Sequence, residues 1–267
     1  MCLAFSGIVD FDAKVTWKLG VDSHTDLAKL GGYADRQLGE FSKFEITPKN
    51  RNYLFPDEWI FKWDEDVLPS WCGTKHKEAA LAAHKKWIKQ LNKILVRKKV
   101  VHPFRDVAPP AKIERKHILL LKRWDSVESL VGSSIRVSVS DSVRGSIEDS
   151  IWVSIRVLVS DSIRVSVWNS IRVSVRSSMR DFIEDSIEDS IRDSVWDSIY
   201  AYSGSFFKIP KWKNVEHIKG AYPFRPAVTL WNQGIVSSFD GVTWRLHGGP
   251  KADVLFSITR TELKKYK

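Results

Sequence analysis

The feature that most constrains the fold is a four-residue repeat running without interruption from Asp125 to Tyr200. Its 76 residues divide into 19 tetrads with no insertion or deletion. The third position is Ile or Val in all tetrads but one, and the second is Ser in all but three. The first position is mostly Asp or Val, and the fourth is mostly Arg, Glu or Trp. Any fold of this segment must therefore give every fourth residue a similar environment.

A period of four favours a strand-like over a helical repeat. In an α-helix the apolar stripe would rotate by about 40° per tetrad, wrapping roughly twice around one continuous rod of this length. Four is twice the strand period, and β-branched residues suit a pleated surface. A single strand this long is implausible, and only Gly132 and Gly145 offer hairpin turns. The sequence therefore predicts a β-solenoid, with a helical repeat as the less favoured alternative.

The predicted solenoid assigns a place to each tetrad position. Ile and Val at position 3 would stack into a core column, whereas Asp at position 1 would lie near a corner, where Val would add to the core. Position 4 would face solvent and carry Trp152, Trp168 and Trp196 as candidate binding residues. The pattern leaves open whether one turn holds 12 or 16 residues.

The repeat resembles the pentapeptide-repeat β-solenoids, with tetrads in place of pentads. The run from Asp193 to Tyr202, followed by Phe206-Phe207, and the tail from Ser238 to Gly249 are similar to uncharacterised bacteriophage and metagenomic proteins with Asp-Ser-Val-Arg and Asp-Ser-Val-Trp repeats. The second resemblance implies a phage-associated protein and brings no known activity. Some pentapeptide-repeat proteins mimic DNA, but they need a strongly acidic surface, and this repeat has a net charge of only −5.

The amino-terminal region is predicted to be an α+β domain with the element order ββαββα. A β-hairpin turns at Asp12-Ala13, a capped helix begins after Ser23, and a long amphipathic helix precedes the linker. The predicted strands are Leu3 to Phe11, Lys14 to Leu19, Phe41 to Thr47 and Trp59 to Trp63, and the predicted helices are Ser23 to Leu30 and Lys75 to Val96.

The long helix is also the main candidate for nucleic-acid binding. Residues 75–123 contain 15 Lys/Arg and three acids. Such a basic surface could contact a phosphate backbone without sequence specificity. The candidate contacts are Lys85, Lys86, Lys89, Lys93 and Arg97. The alternative is a solvated helix face without a ligand.

The carboxy-terminal region is predicted to contain a short helix between Pro226 and Gly234 and a three-stranded meander. The hairpin turns at Asp240-Gly241, and a third strand covers Asp253 to Ile258. Trp244, Arg245 and His247 are candidates for binding a base or a sugar. The alternative is that these aromatic residues form the domain core.

One catalytic arrangement can be proposed from the sequence. If Met1 is removed, Cys2 becomes an amino-terminal nucleophile whose α-amine can act as the base, as in amino-terminal-nucleophile hydrolases. Cys72 and His76 have the spacing of a metal-ligand pair but lack a second pair, so no metal site is predicted. The sequence contains no nucleotide-binding motif and no zinc-protease motif, so no cofactor is predicted.

The sequence thus predicts a mainly β protein with α+β parts in four segments. These are an α+β domain at 1–100, a linker and solenoid cap at 101–124, the β-solenoid at 125–200, and a capping domain of a helix plus three-stranded meander at 201–267. The net charges are +8 for residues 1–124, −5 for the repeat and +7 for the remainder. A polyanion would therefore bind at the ends.

The favoured function is a non-enzymatic structural or interaction protein with a protein partner and possible self-association. The alternatives are nucleic-acid binding by the basic ends and hydrolysis by Cys2. We expect no membrane partner, because no apolar run reaches the roughly 20 residues of a membrane span. Without a recognisable signal peptide, the expected location is the cytoplasm or a virion.

Overall fold

The computed structural model describes most of the chain as two compact units. The described residues are 5–33, 39–49, 54–131, 135–144, 152, 156, 162–178, 185–215 and 222–267. Those within 1–97 and 144–158 belong to unit 1, and those within 98–143 and 159–267 belong to unit 2. In this described part, no helix is both long and apolar enough to cross a membrane.

Unit 1 contains a four-stranded antiparallel sheet in the order β2-β1-β3-β4. The predicted hairpin is present, with Ala13 in the left-handed region at φ 62°. All four predicted strands are present, and the second is much shorter than predicted. They are β1 (Phe5–Asp10), β2 (Val15–Thr16), β3 (Phe41–Thr47) and β4 (Ile60–Trp63).

Helices α1 (His24–Gly31) and α2 (Thr74–Ile94) confirm the two helical predictions in unit 1. The side chain of Ser23 caps α1, and Gly32 ends it in the left-handed conformation. Helix α1 packs on Ile8, whereas α2 packs its Trp87 ring on Phe5. Because Phe5 and Ile8 are three residues apart on one strand, they point to opposite faces of the sheet. The two helices therefore cover opposite faces.

Unit 2 contains the predicted helix and meander. Helix α7 (Arg225–Trp231) precedes the strands β5 (Ile235–Phe239), β6 (Thr243–Gly248) and β7 (Asp253–Thr259), which form an antiparallel sheet in sequence order. Helix α8 (Arg260–Lys265) was not predicted, although Thr259 and Glu262 form a capping box at its start. The large buried side chains of this unit include Trp124, Trp212, Trp231, Trp244, Tyr202, Phe206 and Phe224.

The predicted β-solenoid is wrong, because every described residue of the repeat except Val131 is helical. The protein is α+β, with no solenoid in the described residues. Helix α3 (Arg115–Leu130) enters the repeat from the linker side. Within the repeat lie α4 (Ile135–Arg144) and α5 (Ser162–Ser178), and α6 (Asp185–Gly204) begins in the repeat and extends four residues past its end.

Short helices remove the objection to a period of four. The argument against a helix assumed one rod of 19 tetrads, along which the apolar stripe would rotate too far. In α5 the stripe runs only from Ile163 through Val167 and Ile171 to Val175, all of them buried. Its rotation of about 120° still fits the wide buried face of an ordinary helix.

The serines at position 2 widen the buried face of these helices. Ser142 donates to the carbonyl of Ser138 at 2.6 Å, one helical turn earlier. Ser138 donates to the carbonyl of Lys213 at 2.5 Å, and Ser194 accepts from the backbone N–H of Phe239 at 2.8 Å. Each hydroxyl can thus be buried with a hydrogen-bond partner, so the serine pattern suits a helix packed against other chain segments.

The solenoid layout also misplaced positions 1 and 4. Val137, Val165 and Val173 at position 1 are 41%, 56% and 67% exposed, not part of a core. Trp152 at position 4 is only 1% exposed, although the solenoid would have turned it to solvent. Successive side chains of a helix differ in direction by about 100°, whereas those of a strand differ by about 180°. Positions 1 and 4 therefore point in other directions in a helix than in the predicted strands.

Candidate functional site

The strongest candidate site is a basic surface on α2, which we call the lysine face. It consists of Lys85, Lys86, Lys89 and Lys93, and all four side chains are exposed. Residues three and four apart are neighbours on a helix, so these lysines form one stripe about 12 Å long. The sequence predicted this stripe correctly.

The opposite side of α2 holds the helix in unit 1. The predicted apolar stripe is confirmed, and its members Ala80, Trp87, Ile88, Leu91 and Leu95 are all buried. The lysine face therefore projects from a helix fixed by its core contacts. A surface of this kind needs little ordering of its backbone when it binds a ligand.

The lysine face has few acidic neighbours along its own helix. The one acid in α2 is Glu78, almost two turns before Lys85. Among the described residues, the ion pairs include none of the four lysines. Arg97, which the sequence analysis grouped with them, instead forms an ion pair with Asp57. Its charge is already partnered within unit 1.

His84 lies beneath the lysine face and adds no positive charge at neutral pH. Its ring stacks on Trp87 at 5.6 Å and on Trp59 at 6.1 Å between centroids. Burial lowers the pKa of His84 to about 4, against a smaller opposing effect of Asp57. The ring is therefore a neutral part of the core.

The tryptophans of the repeat have different surroundings. Trp152 is buried, whereas Trp168 and Trp196 are partly buried. The guanidinium groups of Arg164 and Arg192 lie over the Trp196 ring, 5.4 Å and 5.6 Å from its centroid. That ring is already stacked by cations of its own unit, which limits its use for an external ligand.

The carboxy-terminal candidates lie largely in the core of unit 2. Trp244 is fully buried and donates from Nε1 to Asp125 Oδ1 at 3.0 Å. Arg245 forms an ion pair with Asp240 at 2.6 Å. No ring edge of this cluster is open to a base or a sugar, which agrees with the alternative that these residues form the core.

His247 is fixed in one neutral form. Its Nδ1–H donates to the Ala252 carbonyl at 3.1 Å, and its Nε2 accepts from the Ser238 hydroxyl at 2.8 Å. Because the ring is fully buried, its pKa is lowered to about 4. This arrangement stabilises the meander and leaves neither ring nitrogen for a ligand.

A group of carboxyls in unit 2 was missed by the sequence analysis. Burial, followed by the charge of Asp197, raises the pKa of Glu128 to about 8. Burial, followed by the charge of Asp193, raises the pKa of Asp197 to about 7. Asp125 forms an ion pair with Arg260 at 2.7 Å. The predicted solenoid placed Glu128 in solvent and the Asp residues near a corner, so their burial was not expected.

A second missed group lies in unit 1 and has the composition of a metal site. Ligand atoms of His24, Glu45 and Asp64 all lie within 4.8 Å of one another. His24 Nδ1 is 3.2 Å from Asp64 Oδ2, and its Nε2 is 3.1 Å from the Phe44 carbonyl oxygen. These residues lie in α1, in β3 and directly after β4, so no spacing in the sequence could have revealed them.

The remaining chemical candidates are less favourable. His76 accepts from the Gly73 N–H through Nδ1 at 3.0 Å and donates to the Phe11 carbonyl through Nε2 at 3.0 Å. With both nitrogens used, it cannot join Cys72 in binding a metal, and burial raises the pKa of the Cys72 thiol. Cys2, the candidate nucleophile, lies outside the described residues.

Comparisons with known proteins give no relative from which a function could be transferred. No protein family, no curated protein and no solved structure matches the chain.

Proposed function

We propose that the protein binds nucleic acid through the lysine face of α2, by contacts with the phosphate backbone. The observation that carries this proposal is the set of four exposed lysines on one stripe, with no ion-pair partner among the described residues. Cations with internal partners would have to exchange them for phosphates. These lysines need only release water and counterions.

The chemistry of the lysine face favours backbone contact over base recognition. Lysine ammonium groups are point charges that bind phosphate oxygens without the two-point geometry that arginine brings to guanine. Exposed aromatic rings, which would stack on unpaired bases, are not part of the stripe. We therefore expect binding with little sequence preference.

The expected strength follows from counterion release. Four phosphate contacts on duplex DNA contribute a slope of roughly −3.6 in the logarithm of affinity against the logarithm of salt. Raising the salt from about 50 to about 200 mM should then weaken binding by about a hundredfold. This steep dependence separates phosphate binding from a hydrophobic association.

The test is a salt titration of binding to a fluorescent DNA duplex, followed by anisotropy. Changing Lys85, Lys86, Lys89 and Lys93 to Gln should remove most of the affinity and the slope, whereas changing them to Arg should preserve both. The matched control replaces four exposed lysines elsewhere, Lys14, Lys18, Lys264 and Lys265, by Gln. The proposal fails if the unmodified protein does not bind at low salt, or if the control loses as much affinity as the lysine-face variant.

A second candidate function, protein association through the repeat, is supported by the exposed valines of α5. Val165 and Val173 are 56% and 67% exposed and lie eight residues apart, within about 80° of each other around the helix. Mass measurement by light scattering over a range of concentrations tests this. Association that weakens when both residues are changed to Thr would support it, and a monomer at every concentration would refute it.

A further inference from the structure

We propose that unit 1 binds one divalent transition-metal ion between His24, Glu45 and Asp64. The three residues come from separate elements. His24 is the first residue of α1, Glu45 lies within β3, and Asp64 directly follows β4. Their ligand atoms lie within 4.8 Å of one another, so one ion can reach all three after small side-chain rotations.

The group is separate from the lysine face. In the strand register Glu45 pairs with Ser6, which points to the same face of the sheet as Ile8. Helix α1 packs on Ile8, whereas α2 packs on the other face through Phe5. The proposed ion therefore lies on the α1 side of the sheet, and its binding does not depend on the proposed nucleic-acid surface.

The orientation of His24 is the strongest argument for a cation. The Phe44 carbonyl can only accept, so Nε2 carries a proton and donates to it at 3.1 Å. In the neutral ring, Nδ1 then directs its lone pair toward the Asp64 carboxylate oxygen 3.2 Å away. Either a second ring proton or a metal ion between the two atoms accounts for a contact this short. A donor bond from the other ring nitrogen to a backbone carbonyl is also what holds metal-binding histidines in place.

The distances and donor types indicate the kind of ion. Zinc bonds of about 2.0 to 2.2 Å in a tetrahedron place neighbouring ligand atoms about 3.4 Å apart. The 3.2 Å separation between His24 Nδ1 and Asp64 Oδ2 is close to this value. One imidazole with two carboxylates suits zinc or cobalt better than magnesium or calcium, which prefer all-oxygen sites.

The exposure of the ligands provides a path for the ion. The His24 side chain is 11% exposed, whereas that of Asp64 is 50% exposed. The imidazole is thus held inside the fold while a carboxylate reaches solvent. Three protein ligands leave a fourth position for water in a tetrahedral site.

Two other cations can compete for the same acids. A proton on Nδ1 would turn His24 and Asp64 into an ion pair, and Lys62 lies directly opposite Glu45 in the β3–β4 register. Removing the Lys62 charge should therefore strengthen metal binding. If His24 and Asp64 only form an ion pair with each other, neither the unmodified chain nor the Lys62 variant should bind metal.

The experiment titrates the full chain, without an affinity tag, with Co²⁺ and follows the visible absorption of the ion. Competition between the protein and a chromogenic chelator then gives the Zn²⁺ affinity. We expect one equivalent of either metal. Changing His24 to Gln, Asp64 to Asn or Glu45 to Gln should each weaken binding by roughly tenfold or more. Changing Lys62 to Gln should tighten it.

The matched control is Asp66→Asn, which removes one exposed acid two residues from Asp64 and should leave the affinity unchanged. Circular dichroism identifies a variant that fails to fold, and the Glu45 and Lys62 variants then still decide the matter. Absence of an equivalent of bound metal in the unmodified chain would overturn the proposal. Variants of His24, Glu45 and Asp64 that bind metal as tightly as the unmodified chain would overturn it too. DNA binding should be unaffected by these changes, so the two proposals can fail independently.

Discussion

Helix α2 and the repeat helices α5 and α6 both carry basic side chains, but they use them differently. The lysines of α2 face solvent, and none of them takes part in an ion pair of the described residues. In the repeat, Arg172 and Arg176 both bind Glu188 at 2.6 Å. Arg192 binds Asp189 at 2.8 Å. The positive charge of α2 is available to a ligand, whereas these repeat arginines hold their own unit together.

The composition of the two regions explains this difference. In the repeat, α6 supplies the acid that α5 lacks, because Glu188 pairs with both Arg172 and Arg176. The Arg176 hydrogen bond, with the charges of Arg172 and Arg176, lowers the pKa of Glu188. In α2, the acid Glu78 is too distant to serve four lysines. A count of basic residues therefore does not identify a binding surface until the internal partners are known.

The largest expected effect concerns the buried stripe that anchors the repeat. Changing Ile171 to Ala should lower the free energy of unfolding by about 2–5 kcal/mol, because it leaves a cavity in unit 2. Leu91→Ala in α2 should cost about as much in unit 1. Urea unfolding followed by tryptophan fluorescence measures both. If Ile171→Ala left the midpoint unchanged, the repeat would not be packed as described.

The carboxyls of unit 2 should make its stability fall as the pH rises. The folded pKa of Glu128 is about 8, above its ordinary value of 4.5. Its protonated form therefore favours the folded state, and this contribution is lost progressively as the pH rises between these two values. Thermal unfolding of the Glu128→Gln variant should depend less on pH over this range than that of the unmodified protein. Identical profiles would contradict the burial of this carboxyl.

Unit 1 should respond to pH in the opposite direction. The pKa of His84 is about 4 in the folded state against 6.5 ordinarily, so the unfolded state takes up a proton first as the pH falls. Stability should drop between these values by at most about 3 kcal/mol. The His84→Phe variant, measured by thermal unfolding at a series of pH values, should lose most of this dependence. An unchanged acid sensitivity would show that His84 is not the group responsible.

The smallest effect distinguishes a helical repeat from a strand-like one by its sign. Val165 and Val173 are exposed on α5, where Ala has a higher helix propensity than Val. Changing each to Ala should therefore raise the free energy of unfolding by about 0.5 kcal/mol. In a β-solenoid the same changes would destabilise the protein. Urea unfolding of the double variant gives the sign.

The non-repeating parts of the fold could be predicted because several local signals agree there. Ser23 and Gly32 mark the ends of α1, and Asp240-Gly241 marks the hairpin of unit 2. The lysine face followed in the same way from the periodicity of α2. Each of these signals depends on residues that are close together in the sequence, so it can be recognised without knowledge of the tertiary structure.

The repeat could not be predicted in this way, because its period suits a helix only when the helix is short. The rotation of the apolar stripe argues against one continuous helix over the whole repeat, but the structure divides the described repeat into separate helices. The burial of Ser138 and Ser194 depends on the backbone of Lys213 and Phe239, which are distant in sequence. The group of His24, Glu45 and Asp64 was missed for the same reason, since only the folded sheet brings these residues together.

The most direct test removes the positive charges of the lysine face and those of the repeat helices in two separate variants. One variant changes Lys85, Lys86, Lys89 and Lys93 to Gln, and the other changes Arg164, Arg172, Arg176 and Arg192 to Gln. We predict that the first loses about a hundredfold in affinity for a DNA duplex at low salt while its unfolding midpoint stays the same. The second should keep its DNA affinity and unfold more easily. Loss of DNA binding in the arginine variant, with the lysine variant still binding, would contradict the account.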